Sequence, residues 1–111
     1  NLLRLIADVD YTPVPVLSAR AGGQPLDLTF SALRSVSPVH LEYMRNMGTP
    51  ASMSVSILRG EGRLWGLVSC HHAAPRRVSF AARNACDLLA RMFAVRVAAR
   101  EEMAHAEARA R

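Results

Sequence analysis

The sequence predicts a single α+β domain in which an antiparallel sheet is flanked by helices, with a long helix at the C-terminal end. A strictly alternating segment, a short glycine turn and a second apolar segment together indicate a β-hairpin. Apolar residues three and four positions apart precede the hairpin and recur over a longer stretch after it, which indicates helices on both sides. The length of 111 residues allows one modest core.

The first predicted element is a buried strand over residues 2–9 (LLRLIADV), which are almost continuously apolar and end before a polar segment. Residues 11–27 are predicted to form a loop. This segment contains Pro13, Pro15, Gly22, Gly23 and Pro25. A connection of this length usually serves a site or covers part of the molecule.

A helical segment interrupted by a proline is predicted over residues 31–46. Its repeating positions are Leu33, Val36, His40, Leu41, Met44 and Met47. Pro38 has no amide hydrogen and disfavours helical geometry at Ser37. We therefore expect a short helix or turn up to Ser37 and a second helix that begins at Pro38. Gly48 is expected to end it.

The hairpin is predicted from residues 51–58 (ASMSVSIL), a turn over 59–62 and a returning strand over 63–71 (RLWGLVSCH). In the first strand, alternation places serines on one face and apolar residues on the other. The serines are Ser52, Ser54 and Ser56, and they must face solvent or a polar cavity. We expect the hairpin to be central in the sheet.

A long helix is predicted from an N-cap at Ser79 towards the C-terminus. It carries two apolar stripes: Ala85, Leu88, Met92, Val95 and Ala99, and Leu89, Phe93 and Val97. We expect one stripe to pack on the sheet and the other on a second helix. Beyond Arg100 there is little to bury, so the helix is expected to lead to another domain or to a dimer partner.

Composition excludes several function classes. All 14 basic residues are arginine, against 9 acidic residues, for a net charge of +5. Because the arginines are scattered, a mildly basic solvated surface is favoured over a nucleic-acid interface. No apolar segment approaches the roughly 20 residues of a membrane span. The first residues do not have the pattern of a secretory signal, so none is expected. Two cysteines form neither a disulfide framework nor a zinc pattern, so a reducing, cytoplasmic setting is expected.

Catalysis and metal binding are not indicated. Cys70 and His71 point to opposite faces of a strand, and Cys86 lies on an apolar helix, so neither thiol has an oriented base. Only one of His71 and His72 can face any one site, which favours a core or capping histidine over a ligand set. A better candidate site is formed by Arg34, Ser37, His40 and Tyr43, at steps of three. Such spacing favours a site for a carboxylate-bearing ligand with an apolar body.

Residues 33–72 resemble the GAF domain of phytochromes. The motifs are R-x-x-S-P-x-H-x-x-Y-x-x-N-M-G, then A-S-x-S-V-S, then L-W-G-L-x-x-C-H-H, in the family's order and spacing. Residues 2–15 look like the strand that follows the family's Asp-Ile-Pro segment. The resemblance implies a red/far-red photoreceptor domain over residues 1–100, followed by the start of a linker helix over 101–111.

The resemblance also implies a linear tetrapyrrole (bilin) as chromophore. It implies these contacts: Arg34 and Ser37 with one propionate, His40 beside the pyrrole nitrogens, Tyr43 and Met47 at the ring D pocket, Ser52 and Ser54 with the second propionate, His71 with the ring D carbonyl, and Arg4 as a further propionate arginine. Light isomerises a double bond near ring D in this family. The contact of His71 would then break or re-form and bias a bistable protein.

Val39 sets the expected subclass. Plant and cyanobacterial phytochromes attach the bilin to a cysteine at this position, whereas bacteriophytochromes attach biliverdin through a cysteine before the PAS domain. We therefore expect biliverdin, with the attachment cysteine outside this chain. The expected partners are the PAS, PHY and histidine-kinase domains of a two-component sensor, and a second copy bound through the C-terminal helix, with no nucleic acid or membrane. The fragment itself is not expected to be an enzyme.

The chain is expected to be a piece of a longer protein, since it has no initiator methionine and lacks the family's opening helix and strands. The sheet would then have an uncovered edge, so chromophore loss or completion of the fold by another chain is expected. Two alternatives remain open. One is a GAF-derived dimerisation or interaction module without bilin, and the other is a GAF domain that binds another small ligand, such as a nucleotide.

Overall fold

The computed structural model describes residues 2–17, 22, 24, 26–31 and 34–110. The elements in chain order are β1 (Leu3–Ile6), α1 (Pro38–Asn46), β2 (Ala51–Arg59), a 3₁₀ turn (Gly60–Gly62), β3 (Arg63–His72) and α2 (Phe80–Arg109). The predicted α+β class is confirmed. The predictions at Gly23, Pro25 and Leu33 lie outside the described residues.

The three strands form one antiparallel sheet in the order β1-β2-β3. The prediction that the hairpin is central holds for β2 alone, because β3 lies at an edge of the described sheet. Ser54 pairs with Arg4 on one side and with Ser69 on the other. Ser52 likewise pairs with Ile6 and with His71. The sheet has one open edge on β1 and one on β3 within the described part of the chain.

Strand β1 is shorter than the predicted strand over residues 2–9. After Ile6 the chain bends, and the Asp8 carboxylate accepts a hydrogen bond from the Asp10 amide at 2.9 Å. The Val9 amide donates to the Pro50 carbonyl at 2.9 Å instead of extending the ladder. The apolar segment therefore extends beyond β1 because Val9 is buried in the core, although Val9 is not part of the strand.

Helix α1 begins with Pro38 in its first turn, as predicted, and the described residues 34–37 before it are not helical. Gly48 has a φ of +66°, a left-handed conformation that glycine adopts without strain, and it ends the helix. The helix packs through Leu41 and Met44 against Ile6 and Val9. This core therefore lies between α1 and the face of the sheet that carries Ile6, Ser52 and Ser54.

The opposite face of the sheet is covered by α2, whose predicted N-cap at Ser79 is confirmed: the Ser79 hydroxyl accepts a hydrogen bond from the Ala82 amide at 3.2 Å. The buried contact joins Val55 and Ile57 to Ala90 and Ala94. The prediction that one of the two apolar stripes packs on the sheet is wrong, because Ala90 and Ala94 belong to neither stripe. Leu88, Leu89, Met92 and Val95 are each more than half exposed, because the small alanines let the helix backbone approach the sheet closely.

The close approach of α2 predicts that Ala94→Leu destabilises the chain. Adding three carbons to a side chain that is already buried forces the helix away from Val55 and Ile57, at a cost of about 1–3 kcal/mol. Urea unfolding followed by circular dichroism measures this loss. Ala99→Leu is the matched control, since Ala99 is exposed on the same helix. Equal free energies of unfolding for the two variants would contradict the packing described here.

Candidate functional site

A cavity of about 350 Å³ lies between α1 and the serine-bearing face of the sheet. Its size is within the range of small-molecule sites. Every described strand and α1 contribute to it. The lining residues are Arg4 and Ile6 from β1, His40, Tyr43 and Met44 from α1 with Met47 at its C-cap, Ser52 and Ser54 from β2, and Leu67, Ser69 and His71 from β3.

The strand register explains why the polar side chains meet there. Directly paired residues of neighbouring strands point to the same face of a sheet. Arg4, Ser54 and Ser69 therefore form one row across the sheet, and Ile6, Ser52 and His71 form the next. The three residues of α1 and its C-cap Met47 are spaced at i, i+3, i+4 and i+7, so one face of the helix closes the cavity on the side opposite the sheet.

Several polar groups that line the cavity are available to a ligand. Within the described part of the chain, the side chains of Arg4, His40, Ser52, Ser54 and His71 form no hydrogen bond or ion pair. The His40 ring lies beside the Tyr43 ring, with a centroid distance of 6.5 Å. Arg4, His40, Ser52 and Ser54 are half-buried, whereas His71 is exposed at the edge of the cavity. Polar groups without protein partners are satisfied by water or by a bound molecule, so the cavity is suited to a ligand that offers acceptors.

The chemistry of the lining indicates what that ligand carries. Arg4 is the one formally charged group among the described lining residues, and its planar guanidinium can grip a carboxylate through two parallel hydrogen bonds. Serine hydroxyls add neutral donors, and two imidazoles can donate or accept. Apolar walls come from Ile6, Met44, Met47 and Leu67. The arrangement fits an anionic group on a largely apolar body.

His71 and His72 lie in different environments although they are neighbours. His71 lines the cavity. The His72 Nδ1 is 2.8 Å from the Ala74 carbonyl oxygen, and its Nε2 is 3.3 Å from Arg76 Nη1. The alternation of side chains along β3 thus places one histidine in the cavity lining and leaves the other to hold the chain after the strand.

Arg34 and Ser37 are not brought into this cavity. The expectation that they share a helix face with His40 and Tyr43 is wrong, because the helix begins only at Pro38 and helical spacing does not extend back to residue 34. Arg34 lines a neighbouring cavity of about 480 Å³, which shares only Ile6 with the first. Ser37 is the exposed N-cap residue of α1, and its side chain makes no capping hydrogen bond.

The structure adds four lining residues that the sequence analysis did not name as site residues: Ile6, Met44, Leu67 and Ser69. Three of them could have been predicted from the alternation of side chains along a strand, because they lie an even number of residues from a named site residue. Ile6 is two residues from Arg4, and Leu67 and Ser69 precede His71 by four and two residues. Met44 had been recognised as part of the apolar helix face, and it serves both the core and the cavity.

Other kinds of site find little support in the described residues. They contain no group of three or more histidine, cysteine, aspartate or glutamate side chains placed to hold a metal ion. None of the helices in the described ranges is long and apolar enough to cross a membrane.

Comparison with known proteins places these observations in a family. The GAF domain family matches residues 4–100. Cyanobacterial phytochrome B of Nostoc sp. is 49% identical over 104 residues, which cover 92% of this chain and 14% of that protein. A bacteriophytochrome of Pseudomonas aeruginosa is 48% identical over 94 residues, which cover 83% of this chain and 13% of that protein. The chain thus spans about one seventh of the relatives it matches.

Solved structures agree with the sequence relatives. The chromophore-binding domain of Stigmatella aurantiaca phytochrome P1 superimposes with a TM-score of 0.80 at 48% identity, over 86% of this chain and 31% of that one. The chromophore-binding domain of a bacteriophytochrome from R. palustris superimposes with a TM-score of 0.83 at 50% identity, over 93% of this chain and 34% of that one.

Proposed function

Since this chain belongs to the GAF domain family, we propose that it is the bilin-binding domain of a red/far-red light sensor of the phytochrome kind. The cavity between α1 and the sheet carries this proposal, because it joins an arginine, hydroxyls and two imidazoles to apolar walls. Support also comes from the relatives, which are phytochromes, and from two solved structures that are chromophore-binding domains.

The donor set fits a bilin. This pigment is a long, flat conjugated body with two propionates, pyrrole nitrogens and terminal ring carbonyls. Arg4 would bind a propionate, with Ser52 and Ser54 as neutral donors beside it. His40 would hold the pyrrole nitrogens and His71 the ring D carbonyl, while Tyr43 and Met47 border that ring. The bound pigment supplies the absorption of red light and the bond isomerisation that follows.

Arg34 and Ser37 are proposed to bind the pigment from the side of the neighbouring cavity, which Arg34 lines. Ile6 lines both cavities, and the proposal is that a ligand longer than the first cavity extends past Ile6 towards Arg34. A molecule with two carboxylates can offer one to Arg4 and one to Arg34. We therefore keep Arg34 as the second propionate arginine, with Ser37 as its neighbour at the start of α1.

The positions of the two cysteines support biliverdin as the specific pigment. Residue 39 is valine, and neither Cys70 nor Cys86 lines the cavity. Cys86 packs against the core between α2 and the sheet, on the other face. Covalent attachment would then use a cysteine outside residues 1–111, as in bacteriophytochromes. The same proposal includes a cytoplasmic location, further PAS and PHY domains, and a histidine-kinase output carried by other domains.

The domain boundary and a second role are proposed from α2. Residues 1–100 form the GAF domain, and residues 101–111 begin a linker, because residues 102–110 are all exposed. The exposed large side chains of α2 favour homodimerisation through this helix as an additional role. They are Leu88, Leu89, Met92, Phe93 and Val95. A dimer would cover apolar surface that the sheet leaves open.

Addition of biliverdin tests the proposed function. The protein is expected to gain a red absorption band that shifts reversibly under alternating red and far-red light. Arg4→Gln is expected to weaken pigment binding by roughly 10- to 100-fold, because a charge-assisted pair of hydrogen bonds is lost. Titration monitored at the red band measures this change.

Arg63→Gln is the matched control, since Arg63 is exposed on β3 and does not line the cavity. If the unmodified protein gives no red band while it still dimerises, the interaction-module alternative is favoured. If both arginine variants bind pigment equally well, the role assigned to Arg4 is wrong.

A further inference from the structure

The hairpin is fastened to α2 at a point away from the cavity. The Glu101 carboxylate lies 2.7 Å from Arg59 Nη2 through its Oε2. Its Oε1 accepts a hydrogen bond from the Trp65 indole N–H at 3.4 Å. The Trp65 ring also meets the Phe93 ring edge-on, with 5.9 Å between centroids. One carboxylate of α2 therefore contacts both strands of the hairpin. We call the set of Arg59, Trp65, Phe93 and Glu101 the Glu101 clamp.

A bulge in β3 directs Trp65 into this clamp. The ladder pairs Ile57 with Gly66 and Leu58 with Leu64. Trp65 is therefore an additional residue in β3 that has no partner in β2. Regular alternation would place Trp65 on the cavity face with Leu67, Ser69 and His71. The extra residue instead allows its ring to reach α2, as bulges commonly redirect a side chain.

The two ends of β3 thus have different attachments. Trp65 is clamped to α2, and His71, six residues further on, lines the cavity about 20 Å away. On α2, Glu101 is half-buried, and every residue from 102 to 110 is exposed. Glu101 is therefore where α2 leaves the body of the domain, and an axial shift of the helix by one turn, about 5.4 Å, would break the clamp.

We propose that Glu101 is a positioning residue that makes the hairpin and α2 move as one body, so that a changed ligand contact at His71 displaces the exposed end of α2. The proposal rests on the proposed function for its ligand. Arg59 and Glu101 are both partly shielded from water, and the carboxylate combines an ion pair with one strand and a hydrogen bond from the other. Both features make the contact stronger than an isolated surface ion pair.

Hydrogen exchange measured by mass spectrometry on the full protein tests the clamp. In the dark, Glu101→Gln is expected to raise the exchange of amides in residues 95–105 about fivefold, because the ion pair is lost. Glu102→Gln removes the same charge from an exposed neighbour and is expected to change nothing. Reversal of the pair in Arg59→Glu/Glu101→Arg is expected to restore most of the protection that Glu101→Arg alone removes.

Illumination of the biliverdin-loaded protein tests the coupling. Unmodified protein and Glu102→Gln are expected to show a light-driven change of exchange in residues 95–109, which Glu101→Gln loses while it keeps the red band. Equal exchange of Glu101→Gln and Glu102→Gln in the dark, or an unchanged light response in Glu101→Gln, would overturn the inference. A missing red band in unmodified protein refutes the proposed function instead, and the dark comparison still decides the clamp.

Discussion

His71→Ala is expected to leave the pigment bound while changing photoconversion strongly. The other polar groups of the cavity remain in place, so the loss of one neutral hydrogen bond weakens binding by only about fivefold. Under the proposed function, however, the contact of His71 with ring D is the one that isomerisation changes. Without it, the two light states lose an interaction that distinguishes them, and the rate of thermal return is expected to change by about tenfold, which corresponds to about 1.4 kcal/mol.

His72→Ala is the matched control for this prediction. The same ring is removed one position along β3, from a side chain that contacts Ala74 and Arg76 outside the cavity. Absorption spectra under alternating red and far-red light, followed by recovery in the dark, measure both variants. If His71→Ala photoconverts and recovers as the unmodified protein does, His71 is not the ring D contact.

Met44→Ala is expected to be the most destabilising of the substitutions considered for α1. Met44 is 1% exposed and packs against Ile6, Val9 and Leu41. Truncation removes buried carbons and leaves a void, which costs about 2–5 kcal/mol. The free energy of unfolding from urea titration measures the loss, and pigment affinity should fall with it because Met44 also lines the cavity.

Met47→Ala provides the comparison. This residue lines the same cavity from the same helix but is 42% exposed. Its truncation is expected to cost less than about 1 kcal/mol, since much of the side chain already contacts water. Similar losses for the two variants would contradict the burial that defines the core between α1 and the sheet.

Local chemistry made much of the fold predictable. The alternation in residues 51–58 identified β2 and correctly separated its serine face from its apolar face. Pro38 and Gly48 fixed the ends of α1, because one has no amide hydrogen to donate and the other adopts a positive φ. Alternation along β3 indicated that only one of His71 and His72 faces a given site, and the family resemblance selected His71, which lines the cavity.

Properties that depend on packing between elements were not predictable in the same way. Residues 2–9 look almost continuously apolar, yet only Leu3–Ile6 pair as a strand, and the Val9 amide bonds to the Pro50 carbonyl, a partner distant in sequence. Hydrophobicity favoured the large residues of α2 for the sheet contact, whereas close approach selected Ala90 and Ala94. Helical spacing joined Arg34 to His40 although no helix connects them.

Strand β2 lies between two structures that make opposite demands on it. Ser52 and Ser54 border the cavity, and Val55 and Ile57 form the core with α2. A register shift of one residue would place hydroxyls in that core and aliphatic groups in the cavity. Such a shift would cost stability, so the pairing of β2 is strongly specified. The two faces of β2 can consequently vary independently: substitutions at Ser52 and Ser54 would alter the cavity without repacking the core against α2.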